Sequence, residues 1–285
     1  MTTRALRNIV IGASLFCLFA LGSPAAPVGQ GDSAAAHIEG GQAAYAKKDY
    51  KVAIDEFKKA RSLDKTLAEP YVMLARCYVL TGKNQDAIKE LKQAVKQQPG
   101  DSGAHFALAR CYYYANDIDN SRKELAAALK YGAKGPAVLQ LSAEMRMLDG
   151  DYGGALAQYQ EALQTAGPND PGLALLRDKI FALGNYLDFQ KHEVSPTLVM
   201  PRFLNRPRPN YTPEARDNHV QGAVREMVLI DKTGTVQTVI LKTRLGYGLD
   251  EEAVKATRMV KFQPATDNGE PVPFWAVFEV EFNLN

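Results

Sequence analysis

The sequence predicts an α+β protein overall: an all-α repeat solenoid, then a small α+β unit ordered strand-strand-helix-strand around an antiparallel sheet. Three observations predict it. Fragments recur at a fixed offset through the first part of the chain, prolines accumulate near residue 200, and a period of two then replaces the helical period. The 285 residues suffice for two ordinary domains with separate cores. Hydrophobic residues at 46% and charged residues at 23% suit a globular chain, and the formal net charge of +2 supplies no polybasic patch. No nucleic-acid partner is therefore expected.

Arg4 and Arg7 precede an uncharged apolar run from Ile9 to Leu21, and Ser23-Pro24-Ala25-Ala26 follows. This order is expected of a secretory signal peptide over residues 1–26, with a periplasmic product. The competing reading is an uncleaved anchor that holds the protein in the inner membrane, facing the periplasm. A hydrocarbon core about 30 Å thick needs about 20 apolar residues, and the run ends short of that. Cys17 lies inside it, which leaves Cys77 and Cys111, too few for a disulfide framework.

Leu74-Ala75-Arg76-Cys77-Tyr78 returns 34 residues later as Leu108-Ala109-Arg110-Cys111-Tyr112. The same period links Ala53, Ala87, Ser121 and Ala155, and also Phe57, Leu91, Leu125 and Tyr159. It links Ala60, Ala94, Ala128 and Ala162, while Gly41, Ala75, Ala109 and Ala143 keep a small residue in register. The pattern resembles the tetratricopeptide repeat (TPR). Four units fit, near 34–67, 68–101, 102–135 and 136–169, and a capping helix near 171–186 completes a solenoid over 34–186. Small residues let paired helices approach closely, Phe57 or Leu91 fills the gap between repeats, and stacking supplies the core. Cys77 and Cys111 share a register position. Helix axes packed about 8–10 Å apart would keep them beyond disulfide reach, so buried small hydrophobes are expected there.

The resemblance implies an inner face, lined by the first helix of each repeat, that holds a peptide or protein segment. In this register it comprises Val72, Arg76 and Val79 in one unit and Phe106, Arg110 and Tyr113 in the next. Two arginines one repeat apart, flanked by aromatics, suit a carboxylate or an acidic peptide. Solvation, or pairing with a local acid such as Glu69, is the plainer alternative.

Pro196, Pro201, Pro207 and Pro209 interrupt the helical period, and residues 187–205 are expected to form a semi-extended, proline-rich linker. Beyond it, Ala223 to Asp231 and Thr235 to Thr243 read as strands around a Lys232-Thr233-Gly234 turn. Asp250-Glu251-Glu252 opens a short helix that runs to about Met259. In the last strand Val272, Phe274, Ala276, Phe278, Val280, Phe282 and Leu284 alternate with a side carrying Glu279, Glu281 and Asn283. One face is expected to be buried against the helix and the other wet.

Tyr211, Pro213, Gly222, Val224, Gly234, Leu249, Ala253 and Phe282 stand in order around two telling runs. These are Lys261-Phe262-Gln263-Pro264-Ala265 and Asn268-Gly269-Glu270-Pro271-Val272. Residues 206–285 thus resemble the TonB C-terminal domain, with Tyr211-Thr212-Pro213 where Tyr-Pro is usual. The resemblance implies a TonB-dependent outer-membrane transporter as partner. An extended segment of the transporter would add to the last strand at Phe274, Trp275, Ala276, Val277, Phe278, Glu279, Val280, Glu281 and Phe282. Such β-augmentation draws its affinity from main-chain hydrogen bonds. A homodimer pairing the same edge, in a periplasmic scaffold or assembly protein, is the alternative.

Family members that transduce energy carry a membrane helix whose histidine couples to an inner-membrane motor. Here the first histidine, His37, lies beyond the apolar run, so contact with such a motor would need a partner protein. His37, His105, His192 and His219 are scattered, and His37 and His105 are expected to be packing or surface residues. No HExxH, paired CxxC, phosphate loop or nucleophile elbow follows the apolar run. No catalytic site, metal or cofactor is expected. The sequence reads as a periplasmic adaptor with a repeat platform and a transporter-binding end.

Overall fold

The computed structural model describes residues 33–284, so the signal-peptide expectation and Cys17 lie outside the described residues. Helices come in antiparallel pairs: α1 (Ala34–Ala46) with α2 (Tyr50–Leu63), α3 (Glu69–Leu80) with α4 (Asn84–Gln97), and α5 (Ser102–Tyr114) with α6 (Ile118–Lys130). The fourth pair is α7 (Pro136–Leu148) with α8 (Tyr152–Thr165), and α9 (Leu173–Phe189) caps the stack. No described helix is long and apolar enough to cross a membrane.

The turn inside each pair repeats at the 34-residue period. Lys48, Gly82, Asn116 and Gly150 all take positive φ. The next amide, at Asp49, Lys83, Asp117 and Asp151, donates to the carbonyl five residues back, at Ala44, Tyr78, Tyr112 and Arg146. This is a Schellman closure, and it satisfies carbonyls that the helix end leaves open. Asp49, Asp117 and Asp151 then cap the following helix through Val52, Asn120 and Gly154 amides. Lys83 cannot accept, and α4 has no side-chain cap.

Packing follows the register. Ala53, Ala87, Ser121 and Ala155 are fully buried, as are Ala60, Ala94, Ala128 and Ala162. Phe57, Leu91, Leu125 and Tyr159 fill the space between pairs. Ser121 keeps the register because its hydroxyl donates to the Ala109 carbonyl at 2.7 Å. Cys77 and Cys111 are free and buried, and burial pushes both thiols up to about 11.

The C-terminal unit contains β1 (Arg202–Phe203), α10 (Pro213–Asp217), β2 (Gly222–Ile230), β3 (Val236–Leu241) and α11 (Leu249–Arg258). After these come β4 (Phe262–Gln263), β5 (Ala265–Asp267), β6 (Glu270–Val272) and β7 (Phe274–Phe282). An antiparallel sheet of order β3-β2-β7 carries α11 on one face, where Leu249 and Ala253 pack with Val224 and Phe282.

The expected order strand-strand-helix-strand is present as β2, β3, α11 and β7, with two small antiparallel pairs added, β1 with β4 and β5 with β6. The proline-rich stretch 187–205 is held against the C-terminal unit. Val199 bridges Thr266, Ser195 donates to Asp267, and Phe203 packs its ring at a tilt against those of Phe262 and Phe278. Finally, the sheet face opposite α11 is wet only in part, because Met227 and Trp275 are buried there against the solenoid.

Gly41 tests the repeat packing directly. A Cβ there would stand 2.5 Å from the ring of Phe57, which is enclosed on all sides. Gly41→Ala is expected to destabilise the solenoid by about 1–3 kcal/mol, measured by urea unfolding followed by helical circular dichroism.

Candidate functional site

Three surfaces concentrate the chemistry, two of them open and one buried between the domains. The first is β7. It pairs along its length with β2, from Gly222 opposite Phe282 to Ile230 opposite Phe274, and its outer edge meets no strand among the described residues. Phe274, Ala276, Phe278, Val280 and Phe282 face the α11 side, with Phe282 buried and Phe278 stacked on Phe262. On the other face, Val277 is 56% exposed and Glu279 and Glu281 are in solvent. Arg225 of β2 donates to Glu279 at 2.5 Å. Trp275 is only 6% exposed, edge-on to Tyr186 of α9. The accessible part of the strand edge therefore runs from Val277 towards Phe282.

The second surface is the inner face of the solenoid. Arg76 and Arg110 are exposed, and neither has an ion-pair partner among the described residues. Glu69 accepts instead from Gln42 at 2.7 Å. Arg110 lies 5.9 Å from the Phe106 ring and 6.0 Å from that of Tyr114, while Arg76 reaches only the Met73 sulfur. Val72 is half-buried and Val79 exposed. Tyr113 does not join this open stretch. It is buried, and its hydroxyl donates to Glu144 at 3.0 Å.

What covers Tyr113 is the third surface, a junction that sequence reasoning missed. The guanidinium of Arg244, in the loop between β3 and α11, sits 3.8 Å from the centre of the Tyr113 ring. Inside its own domain Arg244 donates to Asp250 at 2.7 Å, and Asp250 also accepts from the Leu245 and Gly246 amides. Both charges are buried. The Tyr247 amide donates to the Tyr114 carbonyl at 2.9 Å, and the Asn116 side chain donates to the Arg244 carbonyl at 2.9 Å. Gly246 has φ +74°, and a Cβ would stand 2.6 Å from the Tyr114 carbonyl oxygen, so only glycine lets the loop approach. An apolar contact flanks these bonds, with Met227 and Trp275 clustered with Leu183 and Tyr186.

Burial raises the pKa of the Tyr113 hydroxyl, and the nearby Glu144 charge adds to it. Burial opposes ionisation of Glu144 too, but the Lys179 charge and the hydrogen bonds it receives hold that carboxylate below its usual range. A desolvated guanidinium on an aromatic face contributes roughly 2 kcal/mol. One sequence signal pointed here: the alternation of β7 puts a tryptophan on the face expected to be wet.

His37 and His105 also have partners the sequence reading did not name. Each meets a glutamate nineteen positions on, Glu56 and Glu124, at 2.6 Å between the two helices of its repeat. Among the described residues no cluster of histidine, cysteine, aspartate and glutamate could hold a metal.

Glu226, on β2 under α11, is 0% exposed and donates nothing; it accepts from the Thr257 hydroxyl at 2.5 Å, and its other oxygen has no partner. Burial lifts its pKa from 4.5 to about 7, with the Thr257 bond opposing and the Asp250 charge reinforcing the rise.

Residues 207–284 match the family described as Gram-negative bacterial TonB protein C-terminal. Residues 44–100 and 79–145 match the tetratricopeptide repeat. The chain joins tetratricopeptide repeats to a TonB-type C-terminal domain. Among solved structures, the APC/C hetero-tetramer Cut9–Hcn1 is similar at a TM-score of 0.51 and 15% identity, over 56% of this chain and 31% of that one. MamA protein is similar at 0.47 and 18%, over 55% of this chain and 84% of its own. YrrB, a TPR protein with an unusual peptide-binding site, is similar at 0.45 and 16%, over 54% and 78%. No curated protein matches the chain.

Two predictions follow from these geometries. Trp275 is the only tryptophan and lies in the junction, so its emission reports docking. Arg244→Ala strands Asp250 as an unpaired buried charge, at a cost of about 3–5 kcal/mol. Tyr113→Leu, made from the solenoid side, leaves that pair intact. Both variants are expected to red-shift Trp275 emission and raise its quenching by acrylamide, with Tyr113→Leu keeping native far-ultraviolet dichroism.

Glu226 gives a pH dependence. Its raised native pKa means that the folded protein binds more protons than the unfolded chain between about 4.5 and about 7. Its contribution to stability is therefore most favourable at low pH and falls as pH rises through that window. Glu226→Gln is expected to have a higher unfolding free energy than the parent at pH 8 in denaturant titrations, by on the order of 3 kcal/mol, with the gap closing towards pH 4.5.

Proposed function

We propose that this protein is a non-enzymatic periplasmic adaptor whose TonB-type domain engages a TonB-dependent outer-membrane transporter while its repeats hold a second protein. The observation that carries the reading is the open outer edge of β7 in a domain matching the TonB C-terminal family. A strand edge presents unpaired amides and carbonyls at a fixed spacing, and an extended segment satisfies them without needing particular side chains. Glu279 and Glu281 beside the edge favour a segment with a basic residue.

Arg76 and Arg110 form the receptive part of the solenoid. Both are exposed cations without carboxylate partners among the described residues, and a recess of ≈ 130 Å³ lies beside Arg110, Tyr114 and Gln140. An acidic segment of a partner protein fits that chemistry. An inner-membrane motor component is one candidate for this role, since the adaptor would need a partner to receive force.

The test is a titration of labelled full-length protein with extended peptides from the plug regions of TonB-dependent transporters, followed by amide NMR. Shifts are expected from Val277 to Phe282. Val277→Lys should change affinity only a few-fold, because the contacts are made by main chain. A concentration-dependent dimer that buries the same amides, with no peptide binding, would replace this reading with that of a self-assembling scaffold.

A further inference from the structure

The sheet has a second edge, and it lies in a groove built by both domains. β3 pairs with β2 on one side only. Its outer side borders a cavity of ≈ 210 Å³ between α9 of the solenoid and α11 of the TonB-type domain. Four consecutive residues, Thr238, Val239, Ile240 and Leu241, line that cavity. Side chains alternate between faces along a strand, so lining by a consecutive run means that the strand edge itself faces the space. Ile240 packs towards the solenoid and Leu241 towards α11, which leaves the backbone between them at the groove floor.

The walls are apolar in the middle and charged at the rim. Val254 of α11 and Leu183 of α9 line the space, and Leu175 and Met259 stand half exposed at its margins. Arg258, the last residue of α11, lines the groove with no ion-pair partner among the described residues. Asp178 on α9 also has none. Glu144 and Lys179 neutralise each other at the inner end.

The geometry points to this groove as a second strand-acceptor site. Its ligand is an extended segment of alternating apolar residues carrying one acidic side chain for Arg258. A strand edge flanked by a helix is the arrangement that main-chain pairing uses: the edge supplies hydrogen bonds and the helix supplies side-chain pockets. The occupant is committed by charge. Arg258 selects a carboxylate, and Asp178 on the facing wall disfavours a second one. The site also depends on domain docking, because α9 forms one wall. It is separate from the β7 edge, on the opposite side of the same sheet, and does not rest on a transporter as partner.

The experiment uses labelled full-length protein and two synthetic octapeptides of alternating valine and threonine, one with a central glutamate and one with a central lysine. The glutamate peptide is expected to shift the amides of Thr238 to Leu241 and of Arg258. It should bind roughly two- to fivefold tighter than the lysine peptide, the range of one partly exposed ion pair. Arg258→Glu, at an exposed helix end, should reverse that preference. N-methylation of alternate peptide amides should abolish binding in one of the two registers. Peptides that shift only Val277 to Phe282, or a ranking that Arg258→Glu leaves unchanged, would overturn the proposal.

Discussion

Arg244 is held by Asp250 at 2.7 Å inside its own domain and lies 3.8 Å from the Tyr113 ring of the solenoid. One side chain thus closes the β3–α11 loop and fastens it to the other domain. Removing a guanidinium from water costs several kcal/mol unless its hydrogen bonds and charge are met. Asp250 meets the charge, the Tyr113 ring covers the face, and backbone bonds at Tyr114 and Asn116 fix the loop that carries them. The position of α9 over β3, and the burial of Trp275, depend on that docking.

The repeat register shows how the solenoid came to serve two purposes. Gln42, Arg76, Arg110 and Glu144 occupy one inner position in successive units. In the second and third units it is an exposed arginine; in the fourth it is a glutamate, bonded to Tyr113 and Lys179 beside Arg244. The sign of the charge changes where the C-terminal domain's own arginine arrives. The inner face is therefore divided, with an open cationic stretch in the middle repeats and a stretch at the last repeat used within the chain. Tyr113, which the repeat register assigns to the open face, belongs to the second part.

Small residues at fixed spacing made the solenoid legible, because only close-packed helix pairs require Ala53, Ala87, Ser121 and Ala155 to be small. The turns at Lys48, Gly82, Asn116 and Gly150 have an equally local cause, a residue in positive φ at one position of each repeat. Alternation in β7 and the turn at Gly234 likewise settle the main sheet from neighbouring residues. β5 and β6 were harder to read, since three-residue strands carry too little alternation to stand out from a loop. The prolines near residue 200 suggested a linker, yet Val199 and Phe203 are bound to the C-terminal domain by partners sixty or so positions away.

The sequence by itself determined the two architectures and their order, because each rests on periodicity within a few dozen residues; the edge position of β7 was implied by the family resemblance and belongs to the sheet order β3-β2-β7. Only the tertiary structure decided that Arg244 docks on Tyr113, that Glu226 is sealed under α11, and that α9 walls a groove beside the edge of β3. The first joins residues more than a hundred positions apart, the second sets the burial of a single side chain, and the third joins elements several dozen positions apart, and no local pattern encodes any of them. Whether a charged residue is solvated, paired or stacked depends on what the folded chain brings beside it.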